Sequence, residues 1–394
     1  MKVNGFLKDV TGASRITKAR RSLIQHGDPN NIYRDPIRET AKELHPEKTD
    51  VMITKVEEVS PTAKKYTFKA INGDILPPFK AGQYCSLDLK IGNTITTRPY
   101  SICSAPFQAR SEDPFFELTI RQGKPNEGFV SNWLYDNAKE GDTFTAHLPF
   151  GEFCFEPLRD SRNVVALAGG SGITPFYSMA KEIENGTLDI QLTILYGSVS
   201  TKDIILEKQL KAIQSDKVKF INVISGEEDY EGEKGFLTKE IIEKYSEGDC
   251  SYFICGPLPM YHFVKAQLEE LKVPQRRIRM EIFGAPRDIT KADGWPTDFN
   301  PAPVKLTVCR GIQEDVIEAN PLEPLTVALE RAGIPNNSRC RSGACGFCRC
   351  KLLSGNVFVP EEGDGRRWAD KKYSYYHACS TYPLSDCKIK IIIK

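Results

Sequence analysis

The 394-residue sequence predicts a multidomain protein: an antiparallel β-barrel, a doubly wound α/β domain and a small α+β domain, behind a helical N-terminal extension. Three observations predict it. Short β-rich runs separated by Gly and Pro follow residue 50, a pattern that closes most simply as an antiparallel barrel. Beyond residue 162, continuous apolar strands alternate with helical stretches, the pattern of a parallel sheet covered on both faces. Near the C-terminus stands Cys340-Arg341-Ser342-Gly343-Ala344-Cys345-Gly346-Phe347-Cys348, answered by Cys379.

Composition narrows the function classes. With 53 basic and 52 acidic residues, no global field argues for nucleic acid. Twelve Cys in a chain of this length suit a reducing compartment better than a disulfide scaffold. No apolar run reaches the length of a membrane span, and the first residues lack the apolar core of a signal peptide. The expectation is a soluble cytoplasmic protein.

In chain order, residues 1–48 stand apart, with Lys18, Arg20 and Arg21 clustered and few aromatics. Asp35 followed by Pro36 is a normal helix start, so a helix is expected to Leu44. This segment reads either as a docking arm or as a helical extension.

The barrel is expected over 49–157, with strands at Val51–Val56, Tyr66–Phe68, Gln83–Leu89, Phe115–Ile120 and Thr143–Leu148. Two polar motifs interrupt them. In Arg98-Pro99-Tyr100-Ser101, an Arg for a phosphate, an aromatic face for a flat ring and a neighbouring hydroxyl could together hold a flavin nucleotide. From Gly128 to Ser131 the chain opens a short helix whose N–H groups and Ser131 hydroxyl could receive a pyrophosphate. Taken singly, either could be turn chemistry.

The α/β domain is expected over 158–284. The strand Asn163–Ala168 runs into Gly169-Gly170-Ser171-Gly172-Ile173-Thr174-Pro175 and then a helix, the arrangement that brings a dinucleotide's phosphates onto a helix N-terminus. Further strands are read at Gln191–Tyr196, Val218–Val223 and Ser251–Ile254, with a helix from Ile204 to Ile213. Cys255-Gly256-Pro257 ends the last of these strands, where ligands of open α/β sheets bind, and this position would set a small sulfur side chain against a nicotinamide. The alternative is a tight turn around a buried thiol.

Residues 285–302, rich in Pro, Asp and Gly, read as a linker. The last domain, 303–394, has strands at Val304–Cys309 and Lys388–Ile393 and a helix from about Thr326 to Ala332. Its Cys-x4-Cys-x2-Cys spacing, with a fourth Cys further on, is the ligand pattern of a plant-type [2Fe-2S] cluster bound by Cys340, Cys345, Cys348 and Cys379. A structural zinc site would show two close pairs of ligands, whereas Cys379 stands alone beside His377. Cys350 and Cys387 fall outside the spacing and read as core residues.

With these motifs in this order, the chain resembles the ferredoxin–NAD(P)H reductase family with a plant-type ferredoxin domain fused at its C-terminus, over about residues 50 to 394. Arg98, Tyr100 and Ser101 match the family's flavin motif, Gly128 and Ser131 its second flavin motif, and Pro149, Gly151 and Phe153 its Gly-Pro-x-Gly-x-Phe element. Gly169 to Pro175, including Gly170 and Gly172, and Cys255-Gly256-Pro257 match its nicotinamide motifs, and Glu281-Ile282-Phe283-Gly284 matches the end of its reductase domain. The resemblance implies that Thr174, Cys255 and Glu281 line a hydride path while Tyr100 and Phe283 flank the flavin. It also implies a β-grasp fold for the last domain, and FAD, with FMN as the alternative.

By the same resemblance, electrons would pass from a nicotinamide to the flavin to the cluster, and then to a redox protein acting as acceptor. An oxygenase, a hydroxylase or another terminal redox protein would serve as that partner. Two other readings are a stand-alone reductase of a small acceptor and a redox-sensing interaction module. NADPH-selective relatives usually carry an Arg after the Ser of the segment Ser225-Gly226-Glu227-Glu228; Gly226 and two carboxylates here favour NADH, with Lys202 or Lys234 as routes to NADPH.

Overall fold

The computed structural model describes residues 5–27, 35–124 and 127–392, and the chain divides into two compact units, Met1–Pro46 and Glu47–Lys394. The first unit contains α1 (Phe6–Gln25) and α2 (Pro36–Leu44). Asp35 caps α2 by accepting the Arg38 N–H at 3.1 Å, with Pro36 at the first helical position. The helix α1 is less evident in the sequence, because its apolar residues Val10, Ile16, Leu23 and Ile24 are widely spaced, and all four are exposed.

The second unit begins with a six-stranded antiparallel barrel: β1 (Thr49–Ser60), β2 (Ala63–Ala70), β3 (Tyr84–Ile91), β4 (Thr94–Ser101), β5 (Phe116–Arg121) and β6 (Thr143–Phe150). The strand order is β4-β3-β6-β1-β2-β5, and an antiparallel bridge from Ile102 to Leu118 joins the two outer strands. Alternate positions such as Val51 and Ile53 fill the interior, where Phe68 stacks on Phe116 at 5.1 Å. The polar run read as an interruption is the strand β4. Pro99 is tolerated there because β4 pairs along its length with β3 alone, with Pro99 opposite Ser86. The helix α3 (Phe129–Asn137) packs Val130 and Leu134 into the barrel core, and the Tyr66 hydroxyl donates to the Leu134 carbonyl at 3.0 Å.

Next comes a parallel sheet: β7 (Asn163–Gly169), β8 (Gln191–Ser198), β9 (Val218–Ile224), β10 (Glu233–Lys234), β11 (Cys250–Cys255) and β12 (Ile278–Glu281), ordered β10-β9-β8-β7-β11-β12. Alternate residues of β7 serve two cores. Val164, Ala166 and Ala168 pack with α4 (Thr174–Glu184) and α5 (Glu207–Ala212). Val165 and Leu167 pack with α6 (Lys239–Lys244) and α7 (Leu258–Glu270). Strand order reverses between β7 and β11, so their C-terminal ends flank the crevice where such sheets bind ligands.

The C-terminal region contains β13 (Val304–Arg310), β14 (Gln313–Ala319), α8 (Leu325–Arg331), β15 (Arg349–Ser354), β16 (Val357–Phe358), α9 (Trp368–Lys372), β17 (Tyr375–His377), β18 (Tyr382–Pro383) and β19 (Cys387–Ile391). Its main sheet is ordered β14-β13-β19-β15-β17, with β13 and β19 parallel and the other pairs antiparallel. The sequence places the end of the last strand at Ile393, which lies outside the described residues. Residues 285–302 carry two anchors that their composition hides: Ile289 is buried, and Trp295 packs edge-on against Phe358 at 5.2 Å and Tyr382 at 6.4 Å.

Candidate functional site

The end of β7 builds the first cavity. Gly169 ends the strand, a single 3-10 turn carries Gly170 to Ile173, and Thr174 and Pro175 open α4. A Cβ on Gly172 would lie 2.0 Å from the Cys255 carbonyl oxygen, so only glycine lets this turn close against the end of β11. The Thr174 hydroxyl donates to the Ser171 carbonyl at 2.9 Å. Gly256 and Pro257 lead from β11 into α7.

The resulting cavity of about 540 Å³ is lined by Gly169, Gly170, Ser198, Ser200, Ser225 and Pro257, with Phe236 and Phe263 at its side. These two rings lie 5.8 Å apart, and Phe236 is exposed. Its one lining cation among the described residues, Arg121, reaches in from β5 and pairs with Asp203 at 2.5 Å. Asp203 also accepts the hydroxyls of Ser60 and Thr62, so the barrel and the sheet are joined here.

Glu227 and Glu228, the two carboxylates that favour NADH in the sequence, are not among the residues lining this cavity. The Glu227 carboxylate accepts the Ser200 hydroxyl at 2.6 Å and the Thr201 N–H at 2.8 Å, and these bonds hold its pKa below the ordinary value. Lys234 donates to the Glu228 carbonyl at 2.6 Å.

The second cavity, about 550 Å³, lies where three parts of the chain meet. Tyr84, Phe150 and Gly151 line it from the barrel, Glu281 and Phe283 from the end of the parallel sheet, and Cys340, Cys345 and Phe347 from the cysteine loop. Tyr84 meets Phe283 edge-on at 5.1 Å, and Phe150 meets Phe347 at 5.2 Å. The Ser101 hydroxyl donates to Glu281 Oε2 at 3.2 Å. Burial pushes the Glu281 carboxyl up to about 8, only partly offset by that hydrogen bond. Cys255 is Glu281's partner in the β11–β12 ladder, and burial raises its thiol well above the ordinary value. The structure thus brings Ser101, Cys255, Glu281 and Phe283 to one place.

Other sequence-predicted residues lie apart from that lining. Tyr100 packs against the barrel core. Arg98 donates to the Thr97 carbonyl at 3.0 Å and reaches Glu330 of α8 at 3.4 Å. Gly128, with φ +72°, precedes α3, and the Ser131 hydroxyl donates back to the Gly128 carbonyl at 3.1 Å. For a flavin the chemistry fits: an aromatic-walled cavity of ligand size, a hydroxyl–carboxyl pair at its edge, and a nearby arginine cluster.

The cysteine loop wraps tightly. Gly343 has φ +80°, and a Cβ there would lie 2.0 Å from the Gly363 carbonyl. Its N–H donates to Cys379 Sγ at 3.2 Å, and the Cys345 N–H donates to Cys340 Sγ at 3.4 Å. No three His, Cys, Asp or Glu side chains among the described residues converge to hold a single metal ion. A [2Fe-2S] core shares four thiolates between two irons, so the donor set fits it. Cys350 and Cys387 are buried in the adjoining core.

Sequence reading missed Tyr84, Phe150, Phe347 and Arg339, whose guanidinium lies over the Phe150 and Phe347 rings at 5.9 and 5.7 Å. Phe150 and Phe347 each adjoin a recognised motif, and that proximity was the available signal. No local signal marks Phe236 or Phe263.

Three family models match in order: an oxidoreductase FAD-binding domain over residues 50–155, an oxidoreductase NAD-binding domain over 166–266, and a 2Fe-2S iron-sulfur cluster binding domain over 311–384. The glycine betaine monooxygenase reductase subunit of Chromohalobacter salexigens is 28% identical over 331 residues, 79% of this chain and 87% of that protein. The ferredoxin reductase component of 3-ketosteroid-9-alpha-monooxygenase from Mycobacterium tuberculosis is 27% identical over 352 residues, 86% of this chain and 94% of that protein. The solved structure of phthalate dioxygenase reductase aligns with a TM-score of 0.63 at 21% identity, covering 88% of this chain and 98% of that one, and so shares its fold. No described helix is long and apolar enough to cross a membrane. The chain belongs to the ferredoxin–NAD(P)H reductase family, with FAD-binding, NAD-binding and plant-type [2Fe-2S] domains in that order.

Proposed function

We propose that this chain is the NADH-oxidising reductase of a multicomponent system, delivering single electrons to a partner oxygenase, hydroxylase or other terminal redox protein. The observation that carries this reading is the second cavity, lined together by Gly151 and Phe153 of the barrel, Glu281 and Phe283 at the end of the parallel sheet, and the cysteines Cys340 and Cys345. A bound flavin supplies the conversion between a two-electron hydride donor and a one-electron cluster.

The chain's own residues set the geometry. Gly169, Gly170 and Gly172, with Pro175, Gly256 and Pro257, take the dinucleotide against the end of β7. Thr174, Cys255 and Glu281 line the approach to the reacting ring. At neutral pH the raised Glu281 carboxyl holds its proton, so this edge of the site stays uncharged, and the Ser101 hydroxyl fixes its orientation. Tyr100 and Phe283 flank the flavin, Arg98 takes a phosphate, and Gly128 and Ser131 serve the second phosphate that distinguishes FAD from FMN. Cys340, Cys345, Cys348 and Cys379 hold the cluster.

NADH is favoured because, among the described residues, the one cation lining the nucleotide cavity, Arg121, is already paired with Asp203. A cytoplasmic location is supported by twelve cysteines none of which is paired in a disulfide, a state that a reducing compartment preserves. The test is chemical analysis with turnover: the purified chain is expected to contain one flavin and one [2Fe-2S] cluster and to reduce cytochrome c with NADH. Zinc in place of iron and acid-labile sulfide would refute it, and released FMN would refute the FAD assignment.

A further inference from the structure

The arginine of the flavin motif is not alone. Arg98 Nη1 lies 3.4 Å from Glu330 Oε1, and the same oxygen accepts Arg341 Nη1. Arg98 belongs to barrel strand β4, Glu330 to α8 of the ferredoxin domain, and Arg341 to the cysteine loop, next to Cys340. Glu330 and Arg341 are 3% and 8% exposed, so the group is largely withdrawn from water. Two guanidinium charges therefore share one carboxylate, and a positive charge is left over. Burial and the neighbouring Arg341 lower the Arg98 pKa to about 10, the physical signature of a cation pair short of anions.

All the hydrogen bonds of Arg98 leave from Nη1, to Thr96, Thr97 and Glu330, and those of Arg341 likewise go from Nη1 to Glu330. The remaining N–H groups of both side chains take no acceptor among the described residues. Guanidinium forks in that state suit an oxyanion with several acceptor oxygens.

We propose that the ferredoxin domain completes the flavin phosphate site: Arg341, held by Glu330, joins Arg98 as a second cation on the phosphate next to the ribityl chain. This rests on the reading of Arg98 as the flavin's phosphate partner. The consequence is linkage. Flavin binding and the seating of the cluster loop against the barrel stabilise each other, because one phosphate and one carboxylate bridge both.

FMN and riboflavin differ only in that phosphate, so their affinity ratio isolates the effect. In the full chain, stripped of flavin with its cluster intact, dissociation constants are measured by flavin fluorescence for FMN, FAD and riboflavin. Arg341→Gln is expected to lower the FMN-to-riboflavin preference about tenfold while leaving riboflavin affinity near wild type. Glu330→Gln, which removes the competing anion, is expected to raise that preference. A merely structural ion pair would weaken all three ligands alike and leave the ratio unchanged, and that result in either variant overturns the proposal. Arg98→Gln separates the two levels: loss of the ratio there but not in Arg341→Gln rejects only the ferredoxin-domain contribution, and no change in either rejects the phosphate site itself.

Discussion

The two cavities are nearly equal in size, about 540 and 550 Å³, yet they are built in opposite ways. The nucleotide cavity is made mostly by the turns at the strand ends of a single sheet, with Arg121 as its one visitor from the barrel. The flavin-side cavity has walls from three domains, and residues nearly 200 positions apart in sequence, such as Phe150 and Phe347, meet across it at 5.2 Å. A cavity of the first kind is as sturdy as its sheet. The second kind exists only while its domains stay docked, and its tuning lies in the seam.

The largest expected effect falls on the seam. Cys379→Ser removes a proposed ligand whose sulfur accepts the Gly343 N–H, and is expected to abolish or strongly deplete the cluster, read as loss of iron, sulfide and visible absorbance. Cys387→Ser, in the neighbouring core, is expected to retain it. Retention of a full cluster by Cys379→Ser would break the assignment.

On the nucleotide side, Gly172→Ala drives a methyl group into the Cys255 carbonyl. It is expected to destabilise the fold by about 1–3 kcal/mol, measured by denaturant unfolding, and to raise the KM for NADH. Wild-type values for both would show that the turn is not held as tightly as the contact requires.

The next effect sharpens the contrast through pH. Glu281 is raised from 4.5 to about 8 by burial, so between these values the folded chain keeps a proton that the unfolded chain releases. Its contribution to stability is complete below 4.5 and declines as pH rises towards 8. Glu281→Gln is expected to flatten the melting temperature across that window, and an unaltered slope would mean that Glu281 is not buried as described.

The smallest effect concerns nucleotide choice. We expect a kcat/KM for NADH above that for NADPH by roughly tenfold, since a 2′-phosphate would find no free lining cation among the described residues. Arginine at position 226 is a poor way to narrow that gap, because a Cβ there would lie 2.6 Å from the Val199 carbonyl. Ser225 lines the cavity itself, so Ser225→Arg is the substitution expected to narrow it. A wild-type preference for NADPH would place another cation at the ribose.

The same contrast explains what the sequence made legible. Gly169 to Pro175, Cys255 to Pro257 and the cysteine run from Cys340 to Cys348 each compress a geometric requirement into a few neighbouring residues, and such requirements can be read without a structure. The strand β4 is hidden because Pro99 contradicts strand propensity, and its edge position resolves the conflict. Glu227 and Glu228 were visible as charges, but the hydrogen bonds to Ser200 and Thr201 that turn Glu227 aside come from another loop. Glu330 gave no signal at all, since its partners lie on a barrel strand and on the loop that follows its own helix.

The central claim is that electrons reach the cluster through the flavin held at the seam. The most direct measurement mixes the protein anaerobically with NADH and follows flavin and cluster absorbance in stopped flow, with and without bound flavin. The account predicts that the flavin bleaches first, that the cluster follows, and that the flavin-free chain leaves its cluster oxidised. A cluster reduced equally fast without flavin would contradict it.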